Sequence, residues 1–291
     1  MKRRDFITNG ALAAVGATLI NPFDALKRHH GHIGVQLWSV RDAMKIDAKG
    51  TLQKLAGYGY KEVECGNYQA GKFYGFSPKE FRTMLDDAGL KMVSGHAATL
   101  AKYYDAKTGI SDDWKVACEA AKVAGQTYII NPYMNEPDRK TADTVKHMVD
   151  TYNAAAQYAN SQGLKYAYHN HDFEFKEVEG KKIYDYLLEG CDKSTVDFEM
   201  DLYWVYYANQ NPVEWFAKQP GRFKLLHIKD MAKTEKRETV EVGNGSLDFN
   251  KIFESNKLSG AKYFIIELEN YVTTSMQGVD LSLQNLKKLK F

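Results

Sequence analysis

Three carboxylates alternate with apolar residues in one short segment of the 291-residue chain, VDFEMD at 196–201. Side chains point to opposite faces in turn along a β-strand, so Asp197, Glu199 and Asp201 share one face. The apolar set must pack against other elements, which turns the acids toward the interior. Inward carboxylates repel one another unless cations lie among them, and a divalent metal and Lys229 are the candidates. The alternatives are a strand with its acids outward, or an Asp197 paired with a buried Lys or Arg.

Residues that bind metals or transfer protons recur at the ends of most other apolar, β-rich segments. They are Glu64, His96, His169, His171, Asp201, His227, Lys229, Glu267 and Glu269. Burial of such side chains without partners is costly, so their joint recurrence favours one shared site, although each alone could lie in a surface loop. Imidazole and carboxylate ligands on rigid strands suit one divalent ion, Mn, Co, Zn or Mg.

Eight β-rich runs alternate with helical stretches along the chain. The runs cover 33–38, 61–64, 91–95, 127–131, 165–169, 196–201, 223–227 and 263–267. The helical stretches lie near 47–58, 78–88, 111–124, 139–161, 182–190, 211–218, 248–257 and 278–289. This alternation predicts the α/β class and a (β/α)8 TIM barrel, in which chemistry lies at the carboxyl ends of the strands. An open doubly wound sheet is the alternative, although no Gly-x-Gly-x-x-Gly follows the first strand.

The first residues have the features of an export signal. Arg3 and Arg4 precede Phe6 and an apolar run over 8–20 that is rich in Ala and Gly. That run is shorter than the roughly 20 residues of a membrane span, so we expect no stable membrane insertion. We therefore predict a twin-arginine-type signal and linker over residues 1–30, a barrel domain over 31–291 and a periplasmic location. The alternative is a fortuitously basic start on a helix.

Composition excludes several other classes of protein. The chain is 44% hydrophobic and 26% charged, as in ordinary globular proteins, so a disordered or low-complexity protein is excluded. With 39 basic and 37 acidic residues it has no electrostatic basis for binding nucleic acid. The three cysteines form no Cys-x-x-Cys pair, which argues against a disulfide framework or a cysteine-based metal site.

Seven segments of the chain resemble one known superfamily. They are GVQLWSVRD (34–42), YKEVE (60–64), YHNHDFEF (168–175), FEMDLYWV (198–205), LLHIKDM (225–231), VEVGNGSLDF (240–249) and YFIIELEN (263–270). In these segments the chain resembles the xylose isomerase-like barrels, specifically the sugar phosphate isomerase/epimerase branch. The resemblance implies one divalent metal ion and a small-molecule sugar or keto-sugar substrate. Members of this branch are often dimers or tetramers, so a homo-oligomer is also implied.

The resemblance implies a set of metal ligands. Members of the superfamily bind the ion through Glu, Asp, His and Glu from four successive strands, and the last three match Asp201, His227 and Glu267. The first falls on His169, where the family has Glu. Ketose 3-epimerases use two facing metal-bound glutamates, and this chain keeps only one, which disfavours simple ketose epimerisation. A family His after the strand-6 Asp is replaced by Trp204.

The HNHDFEF segment is similar to branch members that act on keto-inositols and keto-glycosides. This likeness implies that the metal polarises a carbonyl while a base takes the adjacent proton. We assign His169 to the metal and His171 to proton transfer, with the roles exchangeable. Glu64 and His96 are candidates for a second acid/base or for binding sugar hydroxyls. Lys229 is a candidate for neutralising an oxyanion.

A further set of residues at strand ends could bind the sugar. They are Trp38, Arg41, Asn131, Tyr203, Trp204 and Glu269. Sugar rings present apolar C–H faces that aromatic side chains cover well, although core packing is the alternative for each aromatic residue.

Together these features predict an exported, metal-dependent enzyme that abstracts a proton next to a carbonyl. The broken glutamate pair favours lyase or hydratase action on a keto-sugar or 3-keto-glycoside. The alternatives are a ketose or keto-inositol epimerase or dehydratase, and a non-catalytic sugar-binding barrel. A metal-dependent endonuclease of the related repair family is disfavoured by the near-neutral charge and by the export signal.

Overall fold

A closed barrel of eight parallel strands organises residues 32–289, the part of the chain that the computed structural model describes. The strands are β1 (His32–Gln36), β2 (Glu62–Cys65), β3 (Lys91–His96), β4 (Tyr128–Asn131), β5 (Lys165–His169), β6 (Val196–Asp201), β7 (Phe223–Ile228) and β8 (Tyr263–Ile266). Each strand pairs in parallel with the next one along the chain, and β8 pairs with β1 to close the barrel. The predicted (β/α)8 TIM barrel is confirmed. The predicted export signal over 1–30 lies outside the described residues.

Helices surround the strands. They are α1 (Arg41–Ile46), α2 (Ala48–Tyr58), α3 (Pro78–Ala88), α4 (Asp112–Ala124), α5 (Ala142–Ser161), α6 (Ile183–Gly190), α7 (Leu202–Tyr207), α8 (Pro212–Lys218), α9 (Phe249–Glu254), α10 (Asn256–Ser259) and α11 (Ser275–Leu286). Local sequence sets several of their ends: α3 starts at a capping box between Ser77 and Glu80 and stops at Gly89 in the left-handed conformation. The short helices α1 and α7 are additions to the predicted pattern, and the stretch predicted at 248–257 divides into α9 and α10.

Strand β6 shows how the alternating pattern builds the interior. Phe198 packs outside the barrel sheet against aromatic residues such as Tyr184. The three acids face inward and contact residues of other strands: Asp197 accepts a hydrogen bond of 2.9 Å from the Tyr128 hydroxyl, near the amino ends of the strands. The hydrogen-bond partner of Asp197 is thus the hydroxyl of Tyr128, and not the buried Lys or Arg that the sequence analysis gave as an alternative. The inward orientation follows from the period of two along the strand.

Loops at the carboxyl ends of the strands carry four two-stranded hairpins. They pair Tyr68–Gln69 with Lys72–Phe73, Tyr104–Asp105 with Gly109–Ile110, Glu177–Val178 with Lys181–Lys182, and Asp230–Met231 with Thr239–Val240. These hairpins follow β2, β3, β5 and β7 and raise a rim around the mouth of the barrel. No helix between residues 32 and 289 combines the length and the apolar character that a membrane span requires.

Candidate metal centre and active site

Four side chains meet at the mouth of the barrel, and we call them the upper layer: His169, Asp201, His227 and Glu267. They come from β5, β6, β7 and the residue after β8, and their candidate ligand atoms lie within 4.8 Å of one another. His227 Nδ1 lies 2.9 Å from Glu267 Oε2, and His169 Nε2 lies 3.5 Å from Asp201 Oδ2. The four residues that the family resemblance assigned to the metal therefore lie together.

Two buried atoms of the upper layer face each other without partners. Within the described residues, His169 Nε2 and Asp201 Oδ2 have no hydrogen-bond partner. His169 Nδ1 lies 3.4 Å from the Pro132 carbonyl oxygen, where it can donate its proton and leave the lone pair on Nε2. Burial, together with the charges of His227 and His96, lowers the pKa of His169 well below its ordinary value, so the imidazole is neutral. A neutral imidazole facing a carboxylate fits a divalent cation.

Local structure holds Asp201 in place. Its Oδ1 accepts a 3.0 Å hydrogen bond from the backbone N–H of Trp204, which makes Asp201 the N-cap of α7. Its own N–H donates to the side-chain oxygen of Asn170 at 3.1 Å. One carboxylate oxygen is thus used by the helix, and the other is aimed at the upper layer.

A second group lies one layer deeper, and we call it the lower layer: Glu64, His96, Glu199 and His227. Glu64 Oε1 lies 2.5 Å from the Gln36 amide nitrogen and 2.7 Å from His227 Nε2. The other carboxylate oxygen accepts a 2.5 Å hydrogen bond from the Ser94 hydroxyl. Burial alone would raise the pKa of Glu64, but the charges and hydrogen bonds of His96 and His227 hold it well below its ordinary value.

His227 belongs to both layers. Burial opposes the charged form of His227, but Glu199, Glu64 and Glu267 raise its pKa well above the ordinary value. Glu64 accepts from Nε2, so Nδ1 is the ring nitrogen that would have to release its proton before it could bind an ion. Glu64 is fully buried, so it lies beneath the upper layer and contacts His227 from below. Its sequence-predicted role as an acid/base toward substrate stays a prediction.

His96 connects the lower layer to the mouth of the barrel. Its Nε2 lies 3.0 Å from Glu64 and 3.3 Å from Glu199, and its side chain keeps 13% exposure. Burial opposes the charged form, but the two carboxylates raise the pKa of His96 to about 9. His96 is therefore protonated near neutral pH.

Lys229 supplies the cation that the sequence placed near the strand-6 acids. Its Nζ lies 2.5 Å from Glu269, 3.2 Å from Glu267 and 3.5 Å from Asp201. Burial opposes its charge, but these carboxylates raise the pKa of Lys229 above its ordinary value. The ammonium group therefore neutralises part of the negative charge of the upper layer.

His171 lies beside the upper layer with its ring held on several sides. It stacks on Phe173 and meets the edge of Tyr133. Its backbone N–H donates to Glu174 at 2.8 Å, and Glu174 also accepts from the Tyr168 hydroxyl at 2.7 Å. Burial and the charge of Lys229 lower the pKa of His171 well below its ordinary value, so its imidazole is neutral and has a free lone pair. Sequence reasoning missed Glu174, whose only signal was an acid inside an aromatic segment.

The upper layer opens into a cleft of about 440 Å³. Its walls are formed by Trp38, Gly66, Asn67, Tyr68, Gln69, His96, Ala98, Pro132, Tyr133, His169, His171, Lys229, Glu267 and Glu269. A larger surface groove of about 660 Å³ beside α7 and α8 contains no residue of either layer as far as residues 32–289 are concerned. The candidate active site is therefore the smaller cleft, which contains the titratable groups.

Only some of the residues that the sequence analysis assigned to substrate binding line the cleft. Trp38 and Glu269 line the cleft, and Arg41 supports Trp38 by donating to its carbonyl oxygen at 3.0 Å. Trp204 packs against the ring of His171, and the Tyr203 hydroxyl donates to a backbone carbonyl outside the cleft.

Asn131 has a structural position. It is fully buried; its side-chain oxygen accepts from the Thr99 N–H, and its amide donates to the Tyr133 carbonyl. These bonds shape the loop that presents Tyr133, a cleft residue that the sequence analysis did not select. The signal in the sequence was its position two residues after Asn131, at the end of strand β4.

The fold and the site define a (β/α)8 barrel with a candidate metal centre at the carboxyl ends of its strands. The model of the xylose isomerase-like TIM barrel family matches residues 52–289. The chain belongs to this family.

Among solved structures, a sugar phosphate isomerase/epimerase from Parabacteroides distasonis is 30% identical, with a TM-score of 0.79 over 89% of this chain and 98% of that one. The IOLI protein, solved with a bound zinc atom, shares 15% identity and the fold, with a TM-score of 0.69 over 88% of this chain and 97% of that one.

Two curated relatives are named inosose dehydratase. The one from Clostridium botulinum is 30% identical over 118 residues, which are 35% of this chain and 39% of the relative. The one from Clostridium beijerinckii is 29% identical over 157 residues, which are 47% of this chain and 49% of the relative. The chain thus matches half or less of the length of these relatives.

Proposed function

We propose that this protein is a divalent-metal-dependent enzyme that abstracts a proton next to the carbonyl of a keto-sugar, and that it eliminates the leaving group of a 3-keto-glycoside or hydrates the product. One observation carries the proposal: His169 Nε2 and Asp201 Oδ2 face each other without hydrogen-bond partners among the described residues, and His169 lines the same cleft as the neutral His171. That is the arrangement that Lewis-acid-assisted proton abstraction requires.

The residues of the upper layer, His169, Asp201, His227 and Glu267, would hold the ion. When bound, a divalent ion supplies Lewis-acid polarisation of a substrate carbonyl. Lys229 remains beside Glu267 and adds a fixed positive charge where negative charge develops on the substrate oxygen. The residues of this site thus provide both donor atoms for the ion and compensation for their own charge.

His171 is the proposed base. It is neutral, it lines the cleft, and its Nδ1 is buried without a hydrogen-bond partner in the described part of the chain. His96 is protonated and lines the same cleft, which suits it to give a proton to the departing oxygen. In the elimination His171 takes the proton from the carbon next to the carbonyl, the bond to the aglycone oxygen breaks, and that oxygen takes a proton from His96.

Two features favour elimination over epimerisation. Epimerisation needs proton-transfer groups on both faces of one carbon, and the second metal-bound glutamate of ketose epimerases is His169 here. The curated relatives are named as dehydratases of inosose, a name that describes elimination of water. Keto-inositol dehydration is for that reason the second candidate function, ahead of ketose epimerisation and of non-catalytic sugar binding.

The test is a comparison of substrates with the Mn- or Co-loaded protein. We expect release of the aglycone from a 3-keto-glucoside, measured by chromatography. We expect no interconversion of free ketoses. Inosose is the third substrate, and loss of water from inosose with no attack on the glucoside would select the second candidate. Absence of turnover with all three substrates would favour a binding protein.

We also propose that the chain is exported by the twin-arginine route to the periplasm, on the basis of Arg3, Arg4 and the apolar run that follows. A fusion of residues 1–30 to a reporter that is active only after export tests this, with Arg3→Lys plus Arg4→Lys as the control that should block export. Export of that double variant at the normal level would contradict the proposal.

A further inference from the structure

The walls of the cleft differ in chemistry according to the strands that they follow. The loops after β5, β7 and β8 contribute His171, Lys229 and Glu269, together with the metal centre. The loops after β1 and β4 contribute Trp38 and Tyr133. Among the polar residues that line the cleft from strands β1 to β4 and their loops, only His96 has a proposed role in proton transfer. The cleft thus has a charged half next to the metal centre and an aromatic half facing it.

Trp38 and Tyr133 keep unusually large exposed surfaces for aromatic residues of a cleft. Their exposed fractions are 42% and 41%. Exposed apolar rings that line a concave site typically mark a surface that a ligand covers. Ring faces of this kind bind other rings, either aromatic groups or the C–H faces of sugars.

Both rings are held in place before any ligand arrives. The Arg41 guanidinium lies 5.0 Å from the Trp38 ring and also binds its backbone carbonyl. Arg139 donates to the Tyr133 hydroxyl at 3.1 Å and lies 5.3 Å from its ring. A ring that is already fixed loses little conformational freedom when a ligand binds, which favours affinity.

The backbone makes room for Trp38. A Cβ added to Gly66 would lie 2.9 Å from the Trp38 Cβ, so only glycine allows this approach of the loop after β2. The position of the indole ring is thus determined by two loops, those after β1 and β2.

Tyr133 also touches the proposed base. Its ring meets the edge of the His171 ring with centroids 5.4 Å apart. In the proposed elimination the leaving oxygen is attached to the carbon next to the one that loses its proton. The aglycone must therefore extend from the neighbourhood of His171, where Tyr133 lies.

We infer that Trp38 and Tyr133 form an aglycone subsite, which binds the leaving group of a glycoside when that group contains a ring with an apolar face. The assignment of this ring as the leaving group rests on the proposed function, whereas the existence of a ring-binding subsite does not. The favoured substrates are aryl glycosides and disaccharides, and simple alkyl glycosides or free monosaccharides leave the aromatic half of the cleft uncovered.

Calorimetric binding of unoxidised glycosides tests the subsite without any chemistry. Three ligands are titrated into the Mn-loaded protein: phenyl glucoside, cellobiose and methyl glucoside. The phenyl and methyl glucosides have the same anomeric configuration. We expect phenyl glucoside to bind about tenfold more tightly than methyl glucoside, as a covered ring of this size predicts. Cellobiose tests whether a sugar ring serves as well as an aryl ring.

Substitutions then locate the preference. Trp38→Ala and Tyr133→Ala should each reduce the preference for phenyl over methyl glucoside at least about threefold, while Trp38→Phe and Tyr133→Phe retain it. Tyr271→Ala is the matched control, because Tyr271 is 36% exposed and is not a lining residue of the cleft among the residues described.

Equal or undetectable binding of all three glycosides, or an unchanged preference in both alanine variants, would overturn the inference. Failure of the proposed function is a separate result: phenyl glucoside would still bind through Trp38 and Tyr133, but no 3-keto-glucoside would be cleaved.

Discussion

The upper and lower layers of the barrel contain similar side chains but differ in how their polar atoms are satisfied. Each has two imidazoles and two carboxylates, and His227 is common to both. In the lower layer, Glu64 accepts from Gln36, Ser94 and His227. In the upper layer, facing nitrogen and oxygen atoms of His169 and Asp201 are left unpartnered in the part of the chain described.

This difference distinguishes the candidate metal site from the residues that would support it. A carboxylate surrounded by hydrogen-bond donors gains little from a cation. In the upper layer, Lys229 lies 3.5 Å from Asp201 Oδ2 without a hydrogen bond, so the facing atoms of Asp201 and His169 gain more from an ion between them. Glu199 is the intermediate case: its Oε2 contacts both lower-layer imidazoles, and its Oε1 is unpartnered within residues 32–289. We therefore assign the ion to the upper layer and an orienting role to the lower layer.

The largest effect should come from Asp201→Asn. Removing one charged partner from a buried ionic contact costs about 3–5 kcal/mol, so the affinity for Mn should fall about 100- to 4,000-fold. Calorimetric titration of the metal-free protein measures this. The matched control is Asp197→Asn, on the same face of the same strand but bonded to Tyr128 near the other end of the barrel. A control that loses the metal equally would place the ion elsewhere or show a general folding defect.

A smaller effect on the same affinity is expected from Glu64→Gln. The amide has only one acceptor oxygen for the donors Gln36, Ser94 and His227, so His227 loses the partner that orients it. Partners that orient a metal-binding histidine typically contribute about 10–100-fold to metal affinity. Nitrogen chemical shifts of His227 should also show a change in the protonated ring nitrogen. Glu62→Gln is the control on the same strand, where the carboxylate pairs with His32. Unchanged affinity and unchanged shifts in Glu64→Gln would remove the distinction between the two layers.

The smallest effect concerns Glu174, a buried carboxyl outside both layers. Burial raises its pKa to about 8 despite hydrogen bonds from Tyr168 and His171. The folded protein therefore holds a proton that the unfolded chain releases near pH 4.5, and stability must fall as pH rises from about 5 to 8. Glu174→Gln should make the free energy of unfolding less dependent on pH between about pH 5 and pH 8. Urea unfolding at both pH values measures it, with the exposed Glu189→Gln as control, and an identical pH dependence in Glu174→Gln would contradict the assignment.

The barrel itself was predictable because local rules determine it. Strands β5 and β6 begin and end where the apolar patterns do, and α3 begins at its capping box. Helix α7 was missed because it has six residues and starts directly at Asp201, whose side chain caps it. A helix of that length leaves no periodic pattern in a sequence.

The division into layers could not be predicted because it depends on register between strands. Glu64 and Glu267 both stand at strand ends, and yet only Glu267 belongs to the upper layer. The pairing of β2 with β3 shifts register at Glu64, and the pairing of β6 with β7 shifts at Glu199. Such irregularities have no sequence signature of their own. The partners Gln36 and Ser94 are likewise ordinary polar residues until the barrel closes around Glu64.

The most direct measurement is the number and position of ions in crystals of the Mn-loaded protein, determined by anomalous scattering. We expect one ion per chain, bound by His169 Nε2, Asp201 Oδ2, His227 Nδ1 and Glu267 at about 2.0–2.2 Å. An ion between Glu64 and Glu199, or crystals without any bound ion at saturating Mn, would contradict the account.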